Sequence, residues 1–279
     1  MTGWLVYERN NVARNQRFID FFMEAAWTQG AELHLITTDE IIPLVTDGRA
    51  QLRPTPPDFA VMRCMQPFLS AHLERCGVRV FNSAAVSRVC NDKRQTHLFF
   101  AAHGLPAMPT AFVSPDAPRH GFCYPVVLKG ARSCGGRKVF LCENEAAYLE
   151  KLALIAPDDG VVQPLCDTPG QDVRVYLLNG QPVQAMLRYT ENDFRSNFGL
   201  HGQARPVAAT EDMLRVCRVI AQSLQPDLVG VDFIFHQGKP CLNEIEDAVG
   251  TRMLYQYTDI NIVSLYMTHI LRSLRSPSA

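Results

Sequence analysis

No apolar run approaches the roughly 18 residues that a membrane-spanning helix needs, so no transmembrane segment is expected. The opening residues MTGWLVYERNN carry neither a basic flank nor a long apolar stretch, which argues against a signal peptide. An excess of one charge is also missing: 27 Lys and Arg face 28 Asp and Glu, for a net charge of −1. That balance offers no basic surface for nucleic acid or an anionic membrane. The nine cysteines form no C-x-x-C pair, and their number is odd. Neither a disulfide framework nor a zinc site is expected, and reduced thiols fit a cytoplasmic protein. There is no G-x-S-x-G and no Ser-His-Asp ordering, so a hydrolase triad has no support. The Rossmann glycine fingerprint and the Walker A motif are absent too. No internal repeat or low-complexity tract is present.

The most informative segment is VGVDFIFHQGKPCLNEIED, Val229–Asp247. It reads as two short apolar strands joined by a tight turn. Three carboxylates, Asp232, Glu244 and Glu246, stand where apolar residues are expected. Alternation puts Glu244 and Glu246 on one face, together with Leu242. A three-residue loop Gln237–Gly238–Lys239 sets His236 against Pro240, and counting back sets Asp232 against Glu244. Clustered acids repel one another unless a cation lies between them, and hard oxygen ligands suit Mg²⁺ or Mn²⁺.

The rest of the chain alternates strand and helix. Strands are predicted at Trp4–Tyr7, Glu32–Thr37, Phe59–Arg63 and Val78–Phe81, with helices at Arg17–Gln29 and Pro67–Arg75 and a polar, Pro-rich segment between Thr37 and Pro57. This β-α-β rhythm implies a parallel-sheet lobe. A helix is expected over Asn91–His103, strands over Tyr124–Lys129, Val139–Cys142 and Val161–Leu165, and a helix over Glu143–Ile155. Val173–Leu178 and Val183–Leu187 flank an Asn179–Gly180 hairpin turn. Thr210 caps a helix to Leu224, and Asp259 caps the last one.

Three further segments carry charge in suggestive places. PVVLKGARSCGGRKVF, Pro125–Phe140, ends an apolar strand in Lys129 and continues into a Gly135–Gly136 turn, where backbone N–H groups can approach phosphate oxygens. Taken alone it reads slightly better as a basic surface hairpin. Arg174, Arg188, Arg195 and Arg205 form a row of guanidinium groups able to clamp phosphate or carboxylate, although any one of them alone reads as solvated. Asn91–Asp92 caps a helix, and Lys93 follows with no local partner. The scattered histidines, His97 among them, receive no role.

In this order and spacing, these pieces resemble the ATP-grasp superfamily, and within it the RimK-type amino-acid ligases. The resemblance runs from about Asn82 to the C-terminus, through NDKRQTHLFFAAHGLPAMPT, PVVLKGARSCGG, QDVRVYLLNGQPVQAMLR, NDFRSN and VGVDFIF…CLNEIE. It implies an α/β and α+β protein of ATP-grasp fold: an N-terminal parallel-sheet lobe over 1–90, a central lobe with a Gly-rich flap over 91–165, and a C-terminal lobe with a metal site over 166–279. It implies that Lys93 and Lys129 hold ATP phosphates, with Gly135 and Gly136 in the flap over the nucleotide. Gln163 and Leu165 fall in the hinge that meets adenine, and Asp172 near the ribose. Arg174 and Arg188 are implied to face the transferred phosphoryl group, and Asn197 the phosphates and metal. Asp232, Glu244 and Glu246 are implied to bind Mg²⁺ or Mn²⁺, two ions in all. One position departs from the family pattern, Glu-x-Asn followed by a Pro-Gly turn: Glu246 replaces the asparagine and the proline is missing. Arg252, in the next loop, is placed to pair with Glu246 or to grip a substrate carboxylate.

The implied activity is ATP-dependent ligation of a carboxylate to an amine through an acyl-phosphate, releasing ADP and phosphate. The partners are then a small-molecule or peptide carboxylate and an amine or amino acid, with no nucleic acid and no membrane; a homo-oligomer is compatible. The alternatives are an ATP-grasp phosphotransferase and a catalytically silent Mg-ATP-binding protein.

Overall fold

A computed structural model describes residues 1–191, 193–196 and 202–275. Three sheets divide the chain. The first is parallel and contains β1 (Thr2–Tyr7), β2 (Glu32–Thr37), β5 (Phe59–Met62) and β6 (Arg79–Phe81), in the order β2-β1-β5-β6. Its central strands are apolar on both faces, as a sheet covered on both sides requires. Helix α1 (Arg9–Thr28) links β1 to β2, and α2 (Pro67–Arg75) links β5 to β6. The polar, Pro-rich segment, to which no element was assigned, forms a hairpin, β3 (Ile42–Thr46) and β4 (Arg49–Arg53), turning at Asp47–Gly48 with both residues at positive φ.

The second sheet is antiparallel, in the order β7-β10-β8-β9, and comprises β7 (Ala111–Val113), β8 (Val126–Gly130), β9 (Val139–Cys142) and β10 (Gly160–Pro164). Helix α5 (Glu145–Ile155) covers it through Tyr148, Leu152 and Ile155 and is capped by Asn144. Before this sheet come two short helices, α3 (Ala84–Cys90) and α4 (Lys93–Ala102), where one longer helix was expected at the second position only. Ser83 caps α3, and Asp92 caps α4 by accepting from the Arg94 N–H.

The third sheet, β13-β12-β11-β14-β15, is also antiparallel. Its strands are β11 (Gln171–Leu178), β12 (Gln181–Tyr189), β13 (Gln203–Val207), β14 (Leu228–His236) and β15 (Lys239–Glu246). Helix α6 (Glu211–Leu224) packs on one face, and Phe100 of α4 joins the same core. The chain then returns to the first lobe: after α7 (Arg252–Tyr257), Tyr266 and Ile270 of α8 (Ile262–Arg275) share a core with Ile19, Phe22 and Phe59. The cap of α8 is Asn261, whose Oδ1 accepts from the Ser264 N–H at 3.0 Å, and not Asp259 as expected.

The β14–β15 hairpin differs from the expected register. Its loop has two residues, Gln237 and Gly238, both at positive φ, so His236 pairs with Lys239 and not with Pro240. A bulge then intervenes between Phe233 and Asp232, which restores the expected pairing of Asp232 with Glu244. The bulge also reverses the facing of what precedes it. Leu242 lies in the core with Ile245, while Glu244 and Glu246 face the cleft. The expectation that Leu242 shares their face is therefore wrong.

Candidate active site

The second and third sheets enclose a cleft of about 850 Å³, counting its open mouth. Strand register places its charged side chains. Across β12, β11, β14 and β15, Arg188 pairs with Asp172, Arg174 with Asp232, and Asp232 with Glu244. One row further along, Tyr176, Gly230 and Glu246 stand side by side. Cross-strand neighbours on one face lie close enough for long side chains to interact, so the alternation of acid and base is built into the ladder.

The acids and bases form one continuous network. Asp232 accepts from Arg174 Nε at 2.7 Å and Nη2 at 2.6 Å, and from Arg188 Nη2 at 2.7 Å. Arg188 also grips Asp172 with Nε, at 2.6 Å, and Nη2. Arg174 Nη1 reaches Glu246 Oε2 at 2.7 Å. Asp172, Arg174, Arg188 and Asp232 are all buried. Burial alone pushes Asp232 up, but Arg174 and Arg188 outweigh it and hold the carboxyl below its ordinary value.

A second set of cations comes from the central lobe. Lys93 Nζ lies 2.9 Å from Glu244 Oε1 and donates to the Ser133 carbonyl at 2.7 Å. The sequence offered Lys93 no partner because both are distant in the chain. Lys129 Nζ donates to Asn243 Oδ1 at 2.6 Å; Asn243 is the bulge residue, and nothing in its sequence position marked it. Burial lowers Lys129 to about 8, with Glu244 opposing. Lys93, Lys129, Arg174 and Arg188 thus balance Asp172, Asp232, Glu244 and Glu246, which keeps a dense charge cluster close to neutral.

Over the cleft, Gly135 and Gly136 adopt φ of +64° and +74°, which favours glycine. The Gly136 carbonyl accepts from Arg195 Nη1 at 3.0 Å, and Asp193 holds Arg195 in place through both carboxylate oxygens. The flap is thereby tied to the opposite lobe. At the back of the cleft, Gln163 is buried and lines the wall beside Leu165; its amide meets Thr110 Oγ1 at 2.9 Å and His97 Nε2 at 3.0 Å. His97 received no role from the sequence, yet it fixes Gln163. Burial, with Lys129 and Lys93 nearby, lowers it to about 4.

The structure therefore brings together Lys93, Lys129, Gly135, Gly136, Gln163, Leu165, Asp172, Arg188, Asp232, Glu244 and Glu246 as lining residues. Arg174 stands apart from the cleft lining, behind Asp232, and braces Asp232 and Glu246. Asn197 lies outside the described residues. Arg252 does not pair with Glu246; its Nη2 donates to the Arg14 carbonyl at 3.2 Å and to Asn15 Oδ1 at 3.3 Å. Among the described residues, Asp232, Glu244 and Glu246 each offer an oxygen within 4.8 Å of the other two. Each carboxylate has lone pairs beyond those used by its basic partner, so the donor set fits a hard divalent cation.

A parallel-sheet lobe followed by two antiparallel lobes that close on a charged cleft is the architecture of the ATP-grasp fold. The structure of a RimK domain protein, ATP-grasp, from Sphaerobacter thermophilus superposes with a TM-score of 0.74, at 16% identity, over 97% of this chain and all of that one (100%). The ATP-grasp ligase PsnB, complexed with a phosphomimetic precursor variant, Mg and ADP, superposes with a TM-score of 0.71, at 15% identity, over 98% of each chain. The chain belongs to the RimK-like ATP-grasp family, whose domain model matches residues 111–270, more than half of its length. Beta-citrylglutamate synthase B of Danio rerio is 28% identical over 227 residues, 73% of this chain. The match spans only 56% of that synthase. No helix among the described residues is long and apolar enough to cross a membrane.

Proposed function

We propose that the protein is an ATP-dependent carboxylate–amine ligase. The observation that carries this reading is the convergence of three carboxylates and four basic side chains beneath a glycine flap. Family membership and the Mg- and ADP-bound ligase of like fold support the same reading.

In the proposed reaction a substrate carboxylate oxygen attacks the γ-phosphorus of ATP, and ADP leaves. An amine then attacks the acyl-phosphate carbonyl and loses a proton, and phosphate departs with the former carboxylate oxygen. One or two Mg²⁺ or Mn²⁺ ions held by Asp232, Glu244 and Glu246 would offset the repulsion between phosphates and carboxylate. Lys93 and Lys129 bring positive charge to the phosphates from the central lobe, and Arg188 from the C-terminal lobe. Arg174 fixes the directions of Asp232 and Glu246, so positioning is set before substrate arrives. The Arg195–Gly136 bond holds the flap down, which keeps water from an activated acyl group.

The test is product identity with hydroxylamine as trap. Incubation with ATP, Mg²⁺, pooled carboxylic acids and pooled amino acids should yield ADP and phosphate, and hydroxylamine should intercept a hydroxamate. AMP and pyrophosphate, or turnover with no trappable acyl group, would reject the mechanism.

A further inference from the structure

Arg63 lies at the carboxyl end of β5, where its N–H donates to the Val6 carbonyl at 2.9 Å. Its side-chain hydrogen bonds both come from Nη2 and both go to neutral carbonyls: Val249 at 2.9 Å and Ala248 at 3.4 Å. None goes to a carboxylate of the described residues. Its Nε is buried and has no hydrogen-bond partner among the described residues. A buried donor left without an acceptor loses the hydrogen bond it made to water and gains none in return. On a guanidinium that is otherwise only half-buried, such a donor points to a ligand that arrives during function.

The location narrows the ligand. Strands β1, β5 and β6 end at one edge of the parallel sheet, and ligands of such sheets bind outside the carboxyl ends of the strands. Here that edge docks on the segment that follows the acid cluster. Asn82, just after β6, donates to the Asp247 carbonyl at 3.2 Å, and Arg63 reaches Val249. Val249 follows Glu246 by three residues, a span of about 10 Å at most. Helix α1 starts at the same edge with no acidic residue in its first turn, and Arg252 ties the loop after Val249 to Arg14 and Asn15. Arg63 thus makes no ion pair with a carboxylate of the described residues, Asp247 acting on it only at longer range, and it holds the segment that directly follows the carboxylates that would bind the metal.

We infer that Arg63 is a specificity-determining residue that receives a non-reacting carboxylate of a small substrate, through the guanidinium fork. The inference rests on the ligase reading of the neighbouring cleft. The carboxylate belongs either to the amino-acid amine or to a second acid group on the activated substrate. In both cases the ligand is a small molecule with a carboxylate that the reaction leaves intact. Guanidinium selects carboxylate because two parallel N–H donors match two oxygens, a match that neither an amide nor lysine reproduces.

The experiment uses the full chain saturated with Mg²⁺ and a non-hydrolysable ATP analogue. Calorimetric titrations are run with the common L- and D-amino acids, with simple dicarboxylic acids, and with the amide of each. We expect at least one carboxylate ligand to bind roughly tenfold or more tightly than its amide. Which series shows the preference tells whether the carboxylate is on the amine or on the acid. Arg63→Gln should abolish the preference, and Arg63→Lys should keep part of it through charge alone. The analogue's own affinity should stay within about twofold in both variants, which also reports that they fold. Equal binding of acid and amide, no carboxylate ligand at all, or an undiminished preference in Arg63→Gln overturns the assignment. Failure of the analogue to bind the wild-type protein overturns the nucleotide-site reading instead.

Discussion

Arg174 Nη1 lies 2.7 Å from Glu246 Oε2 because Gly230 leaves the space between them open. Gly230 pairs with Glu246 across the ladder, and Arg174 stands one row away on β11. The extra carboxylate at 246 therefore does not stand alone. It is matched by a buried guanidinium that also holds Asp232, and the acid cluster gains a carboxylate without gaining an uncompensated charge.

Gly230→Ala tests that geometry. A Cβ there would fall 2.7 Å from Val249 Cγ2 and 3.0 Å from Arg174 Cδ, so Val249 must shift and the arginine must give way by a few tenths of an ångström. Overpacking of this kind costs about 1–3 kcal/mol. The expected result is that loss in urea unfolding together with weaker Mn²⁺ binding. Unchanged metal affinity would show that Arg174 does not set the ligand directions.

Arg174→Met should be more damaging than Gly230→Ala. It removes two of the three side-chain hydrogen bonds on buried Asp232 and leaves Glu246 unpaired. Breaking one partner of a buried pair costs about 3–5 kcal/mol. Chemical denaturation measures it, and a loss below about 1 kcal/mol would mark the network as dispensable.

Glu244→Gln keeps the shape and removes a charge that pairs with Lys93 and that the proposed metal would use. Turnover should fall on the order of 10²-fold or more, as when one preorganised electrostatic group is deleted, with little change in melting temperature. Wild-type turnover in this variant would remove Glu244 from the metal site.

His97 makes stability depend on pH. Its folded value is about 4, against an ordinary value of 6.5, because burial disfavours the charged ring. The unfolded chain therefore takes up a proton that the folded chain refuses. The stabilisation is complete above about pH 6.5 and is lost as the pH falls towards 4, by at most about 3 kcal/mol. Urea midpoints at pH 7.5 and 5.0 should differ more in the wild type than in His97→Gln. Equal differences would mean that His97 is protonated in the fold.

How far the sequence could be read depended on the range of the interaction. Helices with an amphipathic stripe and a cap, such as Glu211–Leu224 behind Thr210, were legible because the signal is local. The β3–β4 hairpin was hidden because its strands are mostly exposed and show no alternating apolar face. The pairing of Asp232 with Glu244 was expected from a loop one residue too long, and a bulge cancelled that error. Bulges leave little mark on composition, so the inward turn of Leu242 and the contact of Asn243 with Lys129 were invisible. The partners of Lys93 and the support of Gln163 by His97 join segments more than 35 residues apart, and only the tertiary fold brings them together. The residue types of the cleft were readable; the pairing of each acid with its base was not.

A ligase of the proposed kind binds a nucleotide in this cleft with a divalent cation on Asp232, Glu244 and Glu246. Crystals grown with Mn²⁺ and ADP, measured at the manganese absorption edge, test it most directly. The expected result is an anomalous peak in contact with oxygens of these carboxylates, with the nucleotide phosphates between the peak and Lys93 and Lys129. Manganese bound elsewhere, or bound nucleotide with no peak at these carboxylates, would contradict it.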